Sequence, residues 1–243
     1  MSKLTVLLYG IVSYLIGVLG LVAIIAALPG YIPWGFMHEG DLDYKNPVFW
    51  NLSLVSVWGV VHSVMARPGF KAIITRLIPE PAERPTYVLI AGLSSIAMIG
   101  YWATVPGTLW QVEMVWAEIA LWSLFGFSWI LSIGSTFAIN HFDLFGLRQV
   151  FMHYKNLERA PLAFVQRTIY EYVRHPIQTG VLVGVWATPV MTNTQLVLSV
   201  GFTAYIFIGL WFEERDLIAA HGESYLQYRA KVGKLFPKIA GRN

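Results

Sequence analysis

Residues 4–28 read LTVLLYGIVSYLIGVLGLVAIIAAL, a run of 25 residues that contains no charged side chain. A helix needs roughly 20 consecutive apolar residues to cross the hydrocarbon core of a bilayer. The apolar region of a secretory signal is much shorter, about 7–15 residues. The run therefore predicts a membrane-spanning anchor rather than a cleaved leader.

The rest of the chain has the composition of a membrane protein. Only 13% of its residues are charged, against about 25% in a typical soluble domain, and its mean hydropathy is +0.56. Further spans are predicted at 47–66, 85–105 and 114–138. The absence of cysteine excludes disulfides, thiolate metal sites and a cysteine nucleophile, and the formal charge of +3 is too small to indicate a nucleic-acid partner.

A fifth apolar region, residues 176–212, is too long for one crossing and contains Pro189 near its middle. Because a proline disfavours helix in the residue before it, the region predicts two helices in a hairpin, the first of about 12 to 14 residues. The sequence thus predicts an all-α integral membrane protein with four transmembrane helices, a C-terminal hairpin and short cytoplasmic helices that cap a cofactor site. We expect one domain, 1–243, with a four-helix part (1–138), a connector (139–175) and a hairpin with cofactor-binding tail (176–243). The tail is predicted to form two short helices from Glu213 onward, separated at His221–Gly222.

Basic residues alternate with the predicted spans. The basic segments contain Arg67, Lys71, Arg76 and Arg84, then Arg148, Lys155, Arg159, Arg167 and Arg174, then Arg215, Arg229, Lys231, Lys234, Lys238 and Arg242. The segment after the first span carries Glu39, Asp41 and Asp43 against Lys45. Because basic loops remain on the cytoplasmic side, both termini and the active site are predicted to be cytoplasmic, in a bacterial inner membrane.

The stretch YEYVRHPIQTG, residues 170–180, immediately precedes the hairpin. Pro176 suits the first position of a helix, whose free N–H groups favour a carboxylate or phosphate beside Arg174 and His175. Gly180, one turn later, allows a close approach to the backbone.

Glu213 and Glu214 are predicted to end the returning helix at the same interface, where they offer acceptors to an ammonium or to sugar hydroxyls. S-adenosylmethionine carries carboxylate, ammonium and ribose, and would use both halves of this site. A structural ion pair between Arg174 and one glutamate is the alternative. Neighbouring helical side chains point about 100° apart, so we expect at most one glutamate to face a ligand, while the other pairs with Arg215 or Arg229.

These residues carry a family resemblance. The ordered set RHP (174–176), Gly180, Glu213–Glu214, Gly222, Tyr225, Tyr228 and LFP (235–237) resembles the C-terminal signature of the isoprenylcysteine carboxyl methyltransferase and phospholipid methyltransferase superfamily. The resemblance implies that S-adenosylmethionine binds between the RHP segment and the paired glutamates and leaves as S-adenosylhomocysteine. The predicted cofactor contacts are Tyr170, Arg174, His175, Pro176, Gln178, Gly180, Glu213, Glu214, Tyr225 and Arg229, and no metal site is predicted.

A narrower resemblance covers nearly the whole chain. HSVMAR (62–67), ERPTY (83–87), HFDLFGLRQ (141–149), WATP (186–189) and EERDL (213–217) resemble the bacterial methanethiol S-methyltransferases. This resemblance implies methyl transfer from S-adenosylmethionine to methanethiol, a small thiol, giving dimethyl sulfide. Gln178 departs from the apolar residue that is usual at its position. Methylation of a prenylcysteine or a phospholipid is the alternative reaction.

The thiol proton requires an acceptor, for which the candidates are His62, His141, Asp143 and Arg148. His62 lies within the second span, where an ionisable residue indicates function, although a hydrogen-bonded structural histidine remains an alternative. His141, Asp143 and Arg148 follow the fourth span and form either a polar cluster over the cofactor or a solvated loop end. A competing class is a redox module in which His62, His141 and His175 ligate haem.

Overall fold

The structure is a computed structural model that describes residues 2–37, 45–158 and 166–238. Glu39, Asp41, Asp43, Arg159 and Arg242, which enter the orientation prediction, lie outside these residues.

Helices make up most of the described chain. They are α1 (Lys3–Ala27), α2 (Pro47–Met65), α3 (Pro68–Ile74), α4 (Glu83–Gly100), α5 (Val115–Ile139), α6 (His141–Leu144), α7 (Leu147–Lys155), α8 (Pro176–Trp186), α9 (Asn193–His221) and α10 (Glu223–Lys231). Single 3₁₀ turns occur at Glu80–Ala82 and Thr168–Glu171, and the strands β1 (Thr108–Gln111) and β2 (Val190–Thr192) pair in a small sheet. The prediction of an all-α integral membrane fold is confirmed apart from this sheet.

Four of the described helices are long and apolar enough to cross a membrane, namely α1, α2, α5 and α9. The third predicted span, 85–105, is a helix with different bounds and falls outside this set. It begins two residues earlier, at Glu83, and ends at Gly100. Its 18 residues therefore include the charges of Glu83 and Arg84, which lower its mean hydropathy.

The hairpin prediction is confirmed. Helix α8 begins at Pro176 and has 11 residues, too few for a full crossing, and β2 separates it from α9. The indole Nε1 of Trp186 donates to Oγ1 of Thr203 at 2.9 Å and ties the two helices together.

The predicted end of the returning helix is wrong. Helix α9 continues without a break past Glu213 and Glu214 to His221. An α-helix satisfies its own backbone hydrogen bonds whatever side chains it carries, so the charges that end the apolar run do not end the helix. The predicted break at His221–Gly222 is confirmed, because Gly222 adopts φ +54° there and α10 follows.

The chain divides into two compact units. The first comprises Met1–Leu109, His141–Pro161 and Thr192–Gly201, and the second comprises Trp110–Asn140, Leu162–Met191 and Phe202–Asn243. The prediction of a single domain stays a prediction.

In the first unit, glycines allow helix backbones to approach closely. A Cβ atom built on Gly20 of α1 would lie 2.6 Å from the carbonyl oxygen of Gly92 on α4. At Gly10 it would meet the side chain of Val150 on α7, which belongs to a buried apolar cluster with Val6 and Ala82.

In the second unit, α8 packs against α5 in the same way. A Cβ atom on Gly180 would lie 2.4 Å from the carbonyl oxygen of Ser128, and one on Gly184 would lie 2.8 Å from the indole of Trp129. An apolar cluster of Tyr225, Tyr228 and Val232 then holds α10 in place, with Leu217 of α9 packed against it.

Candidate functional site

The RHP segment is held in place by a short piece of chain near the C-terminus. We call residues Val232–Leu235 the C-terminal strap. The N–H of Arg174 donates to the carbonyl of Gly233 at 2.9 Å, and the N–H of His175 donates to that of Lys234 at 3.1 Å. The hydroxyl of Thr179 in α8 donates to the carbonyl of Leu235 at 2.6 Å. The strap therefore lies alongside the N-terminus of α8.

Arg174 and Glu214 form a buried ion pair at this point. The Nη2 and Nε atoms of Arg174 lie 2.6 and 2.9 Å from Oε1 of Glu214. The remaining guanidinium nitrogen, Nη1, donates to the carbonyl oxygens of Val232 and Arg229 at 2.5 and 3.2 Å. Every nitrogen of the guanidinium thus has a protein partner, as in the structural ion pair that was the alternative interpretation of the sequence.

Glu214 is also close to several other polar groups. Its Oε1 atom lies 3.3 Å from Nε2 of His175 and accepts from the hydroxyl of Tyr225 at 3.5 Å. Its Oε2 atom lies 3.5 Å from Nζ of Lys234 and 4.0 Å from Nε of Arg229. A buried carboxylate is stabilised by such opposite charges and donors, so Glu214 is the central structural anion of this unit.

Glu213 has a different environment. Its side chain is 46% exposed, with Oε1 3.7 Å from Nδ1 of His175. Its Oε2 atom accepts a hydrogen bond from Nε2 of Gln178 at 3.3 Å. The two glutamates therefore diverge as helical geometry predicts, and Glu213 is the more accessible of the two.

Burial controls the protonation of the groups around this pair. The pKa of His175 is lowered to about 4, chiefly by burial, with Glu214 opposing the shift and the cations Arg174 and Lys234 adding to it. Burial and the nearby Glu214 raise the pKa of Tyr225 to about 12, and burial raises the pKa of Tyr228 to about 12. At pH 7 the imidazole is neutral and both phenols keep their protons.

Two of the predicted cofactor contacts lie inside the protein. Tyr170 is buried, its backbone carbonyl accepts from the hydroxyl of Tyr228 at 2.6 Å, and its own hydroxyl donates to the carbonyl of Ser135 at 3.4 Å. Burial, with the nearby Glu213, raises the pKa of Tyr170. Tyr225 is 1% exposed. Both tyrosines hold together the elements around the ion pair.

Pro176 and Gly180 are in the predicted helix positions. Pro176 is the first residue of α8, which confirms its predicted place. The close approach that Gly180 allows is made by the backbone of α5, as described above. A neighbouring helix fills the space that its missing side chain leaves, and the contact of Gly180 with a cofactor stays a prediction.

The second predicted group, His141, Asp143 and Arg148, lies within the first unit. His141 and Asp143 are both buried, which contradicts the alternative of a solvated loop end. Nε2 of His141 lies 2.9 Å from the hydroxyl of Tyr14, and burial lowers the pKa of His141. Asp143 lies 3.3 Å from Nη1 of Arg148.

His62 also belongs to the first unit and has a defined tautomer. Its Nδ1 atom lies 2.8 Å from the carbonyl oxygen of Trp58, one turn earlier in α2. A carbonyl can only accept a hydrogen bond, so Nδ1 carries the proton and Nε2 keeps a lone pair. The imidazole also lies against the indole of Trp58, with ring centroids 4.1 Å apart.

The structure thus gathers Arg174, His175, Gln178, Glu213, Glu214, Tyr225 and Arg229 around one end of α8, within the second unit. Sequence reasoning did not identify Lys234 as part of this group. Lys234 immediately precedes the LFP motif, 20 residues after Glu214, and this motif is the only signal that could have pointed to it.

The matched family covers this region. The family described as phospholipid methyltransferase matches residues 116–224, from α5 to the start of α10. This segment includes the RHP sequence and both glutamates. No solved structure matches the chain.

Curated relatives match over nearly the full length. The chain is 40% identical to the methanethiol S-methyltransferase of Mycobacterium tuberculosis, over 98% of each chain. It is 38% identical to the methanethiol S-methyltransferase of Crocosphaera subtropica, over 100% of this chain and 96% of that one. It is 39% identical to methanethiol S-methyltransferase 1 of Bradyrhizobium diazoefficiens, over 97% of this chain and 83% of that one. Identity at this level over whole chains confirms the predicted kinship, and the chain is an integral membrane methyltransferase that belongs to the methanethiol S-methyltransferase family.

Proposed function

We propose that the protein transfers the methyl group of S-adenosylmethionine to methanethiol, giving dimethyl sulfide and S-adenosylhomocysteine. The observation that carries this proposal is the near-complete coverage at about 40% identity by relatives named for that reaction. Methyl transfer needs a methyl donor, and the RHP segment, Gln178 and both glutamates lie in the segment that the methyltransferase family matches.

The residues around α8 fit the chemistry of S-adenosylmethionine. The two side chains that contact Glu213, His175 and Gln178, are both neutral at pH 7. The carboxyl group of Glu213 is therefore available to an ammonium, a sulfonium or ribose hydroxyls. Glu214 holds Arg174 and keeps the site together, so Glu213 is the glutamate that we assign to the ligand.

The remaining work of the protein is positioning and proton transfer. S-adenosylmethionine supplies an activated methyl group on a positively charged sulfur. The positive sulfur of S-adenosylmethionine and a thiolate carry opposite charges. Two such charges about 4 Å apart attract by about 1 kcal/mol in water and by about 4 kcal/mol at an effective dielectric constant near 20. An environment of low polarity therefore favours the approach of the thiolate. We assign the thiol proton to His62 or to one of His141, Asp143 and Arg148, and Nε2 of His62 has the lone pair that this role requires.

The test is a direct assay of the purified, full-length protein. Methanethiol, hydrogen sulfide, a prenylcysteine and a phospholipid amine are each incubated with S-adenosylmethionine, and the S-adenosylhomocysteine formed is measured for every acceptor. Dimethyl sulfide is detected in the headspace of the methanethiol reaction. We expect methanethiol to be the preferred acceptor. Methylation of the prenylcysteine or the phospholipid in place of the thiol would contradict the proposal.

A pair of variants links the assay to the site. Glu213→Gln should weaken binding of S-adenosylmethionine, measured by calorimetry, while Glu223→Gln, an exposed acid at the start of α10, should bind as the wild type does. Equal binding by both variants would remove Glu213 from the cofactor site.

The proposed location of the site is the cytoplasmic side of a bacterial inner membrane, with both termini on that side. The chain contains no cysteine, so single-cysteine variants report topology without background. In intact cells, a membrane-impermeant maleimide should label Glu113→Cys but not Lys231→Cys. Labelling of Lys231→Cys in intact cells would reverse the orientation.

A further inference from the structure

Arg174 is the cation that its sequence context suggests for binding a carboxylate, yet its guanidinium is already engaged. Two of its nitrogens bind Glu214 and the third binds two backbone carbonyls. The side chain is only 6% exposed. Binding a ligand would require breaking a buried ion pair, which is strongly unfavourable because it leaves Glu214 without its main partner. A second anion in this site therefore needs another cation.

Lys234 meets this requirement. Its backbone carbonyl accepts the N–H of His175 at 3.1 Å, which fixes the residue beside the RHP segment. Its Nζ atom lies 3.5 Å from Oε2 of Glu214, at the end of the carboxylate that Arg174 does not occupy. The side chain is 34% exposed, so the ammonium is within reach of a ligand.

The contact with Glu214 leaves the ammonium of Lys234 able to donate hydrogen bonds to a ligand. An ammonium has three donors and no acceptor, and 3.5 Å is longer than a normal charge-assisted hydrogen bond. Glu214 is meanwhile satisfied by Arg174. The other cation near this carboxylate, Arg229, is farther away at 4.0 Å and more exposed, at 48%.

We infer that Lys234 binds the α-carboxylate of S-adenosylmethionine and that Arg174 is a positioning residue that holds Glu214 and the C-terminal strap. The assignment rests on the proposed function. It gives the site two ends of complementary chemistry, with the carboxyl group of Glu213 for the cationic groups of the ligand and the ammonium of Lys234 for its carboxylate.

The test compares two ligands that differ only in this carboxylate. S-adenosylmethionine and decarboxylated S-adenosylmethionine are titrated calorimetrically into the full-length protein without thiol. Lys234→Met should weaken binding of S-adenosylmethionine about tenfold to a hundredfold, the range of a charge-assisted hydrogen bond. The same variant should bind the decarboxylated ligand as the wild type does, and Lys234→Arg should restore most of the preference.

Lys231→Met is the matched control, since Lys231 is an exposed lysine at the end of α10. It should bind both ligands as the wild type does. An equal loss of both ligands in Lys234→Met would show a purely structural role, and no loss of either would exclude contact, so each result overturns the inference. A wild-type protein that binds neither ligand would refute the proposed cofactor and this inference with it. A wild-type protein that binds S-adenosylmethionine while Lys234→Met retains full affinity would refute the inference alone.

Discussion

Removing the guanidinium of Arg174 should lower the free energy of unfolding, because it leaves the buried carboxylate of Glu214 without its main partner. Glu214 is 7% exposed, and in Arg174→Met its carboxylate loses two short hydrogen bonds. Breaking one partner of a buried pair costs about 3–5 kcal/mol. Lys234 still lies 3.5 Å from the carboxylate, so we expect the lower end, about 3 kcal/mol.

The assay is reversible unfolding in detergent, followed by circular dichroism. For a protein of this size, about 3 kcal/mol corresponds to a fall in Tm of roughly 6–12 °C. Glu214→Met should cost a similar amount, because it leaves Arg174 buried and unpaired. The double variant should be at least about 2 kcal/mol more stable than the sum of the two single effects predicts, since neither buried charge of the pair remains without its partner.

Arg215→Met is the control for this cycle. Arg215 follows Glu214 in α9, but its guanidinium lies over the exposed ring of Trp211, 4.6 Å from the ring centroid. Such an exposed contact contributes about 1 kcal/mol or less. The description of a buried and coupled pair would be refuted if the losses of stability in Arg174→Met and Glu214→Met were strictly additive. It would also be refuted if each loss were no larger than that of Arg215→Met.

Three further predictions concern the surroundings of the same site. In the unfolded chain His175 takes up a proton near pH 6.5, whereas in the folded protein it does so only near pH 4. Between these pH values the unfolded state therefore binds more protons than the folded state. The free energy of unfolding should rise with pH in this range, by about 3 kcal/mol in total. Unfolding measured from pH 4 to pH 7 should show this slope in the wild type and lose most of it in His175→Asn, and an unchanged slope would contradict the assignment. Gly180→Ala forces α5 and α8 apart and should lower the free energy of unfolding by about 1–3 kcal/mol. In the control Gly209→Ala nothing lies within 4 Å of the new Cβ atom, so Tm should stay unchanged or rise. Equal Tm values for the two variants would disprove the close packing. Tyr228→Phe removes the donor to the buried carbonyl of Tyr170 and should lower the free energy of unfolding by about 1–3 kcal/mol, and no loss on denaturant titration would mean that water replaces the bond.

Much of the architecture follows from local properties of the chain. The spans at 4–28, 47–66 and 114–138 correspond to α1, α2 and α5 within a few residues, because the length of an apolar run is a direct measure of what can cross a bilayer. Pro176 and Gly222 mark helix boundaries for equally local reasons, a missing N–H and a positive φ angle. The end of α9 was misplaced because the apolar run stops at Phe212, whereas the helix stops where its backbone hydrogen bonds stop.

Some features of the candidate site likewise follow from the sequence, and others depend on the tertiary structure. Composition and spacing were enough to assign the chain to the membrane and to predict that Arg174, His175 and the paired glutamates lie together, since such features depend only on position along the chain. The tertiary structure alone decided three other features: which glutamate is buried, what fills the space beside Gly180, and that Lys234 reaches Glu214. Contacts of about 3 Å depend on how each helix is rotated and on a strap nearly 60 residues downstream of the RHP segment, and neither is encoded in the local pattern of the sequence.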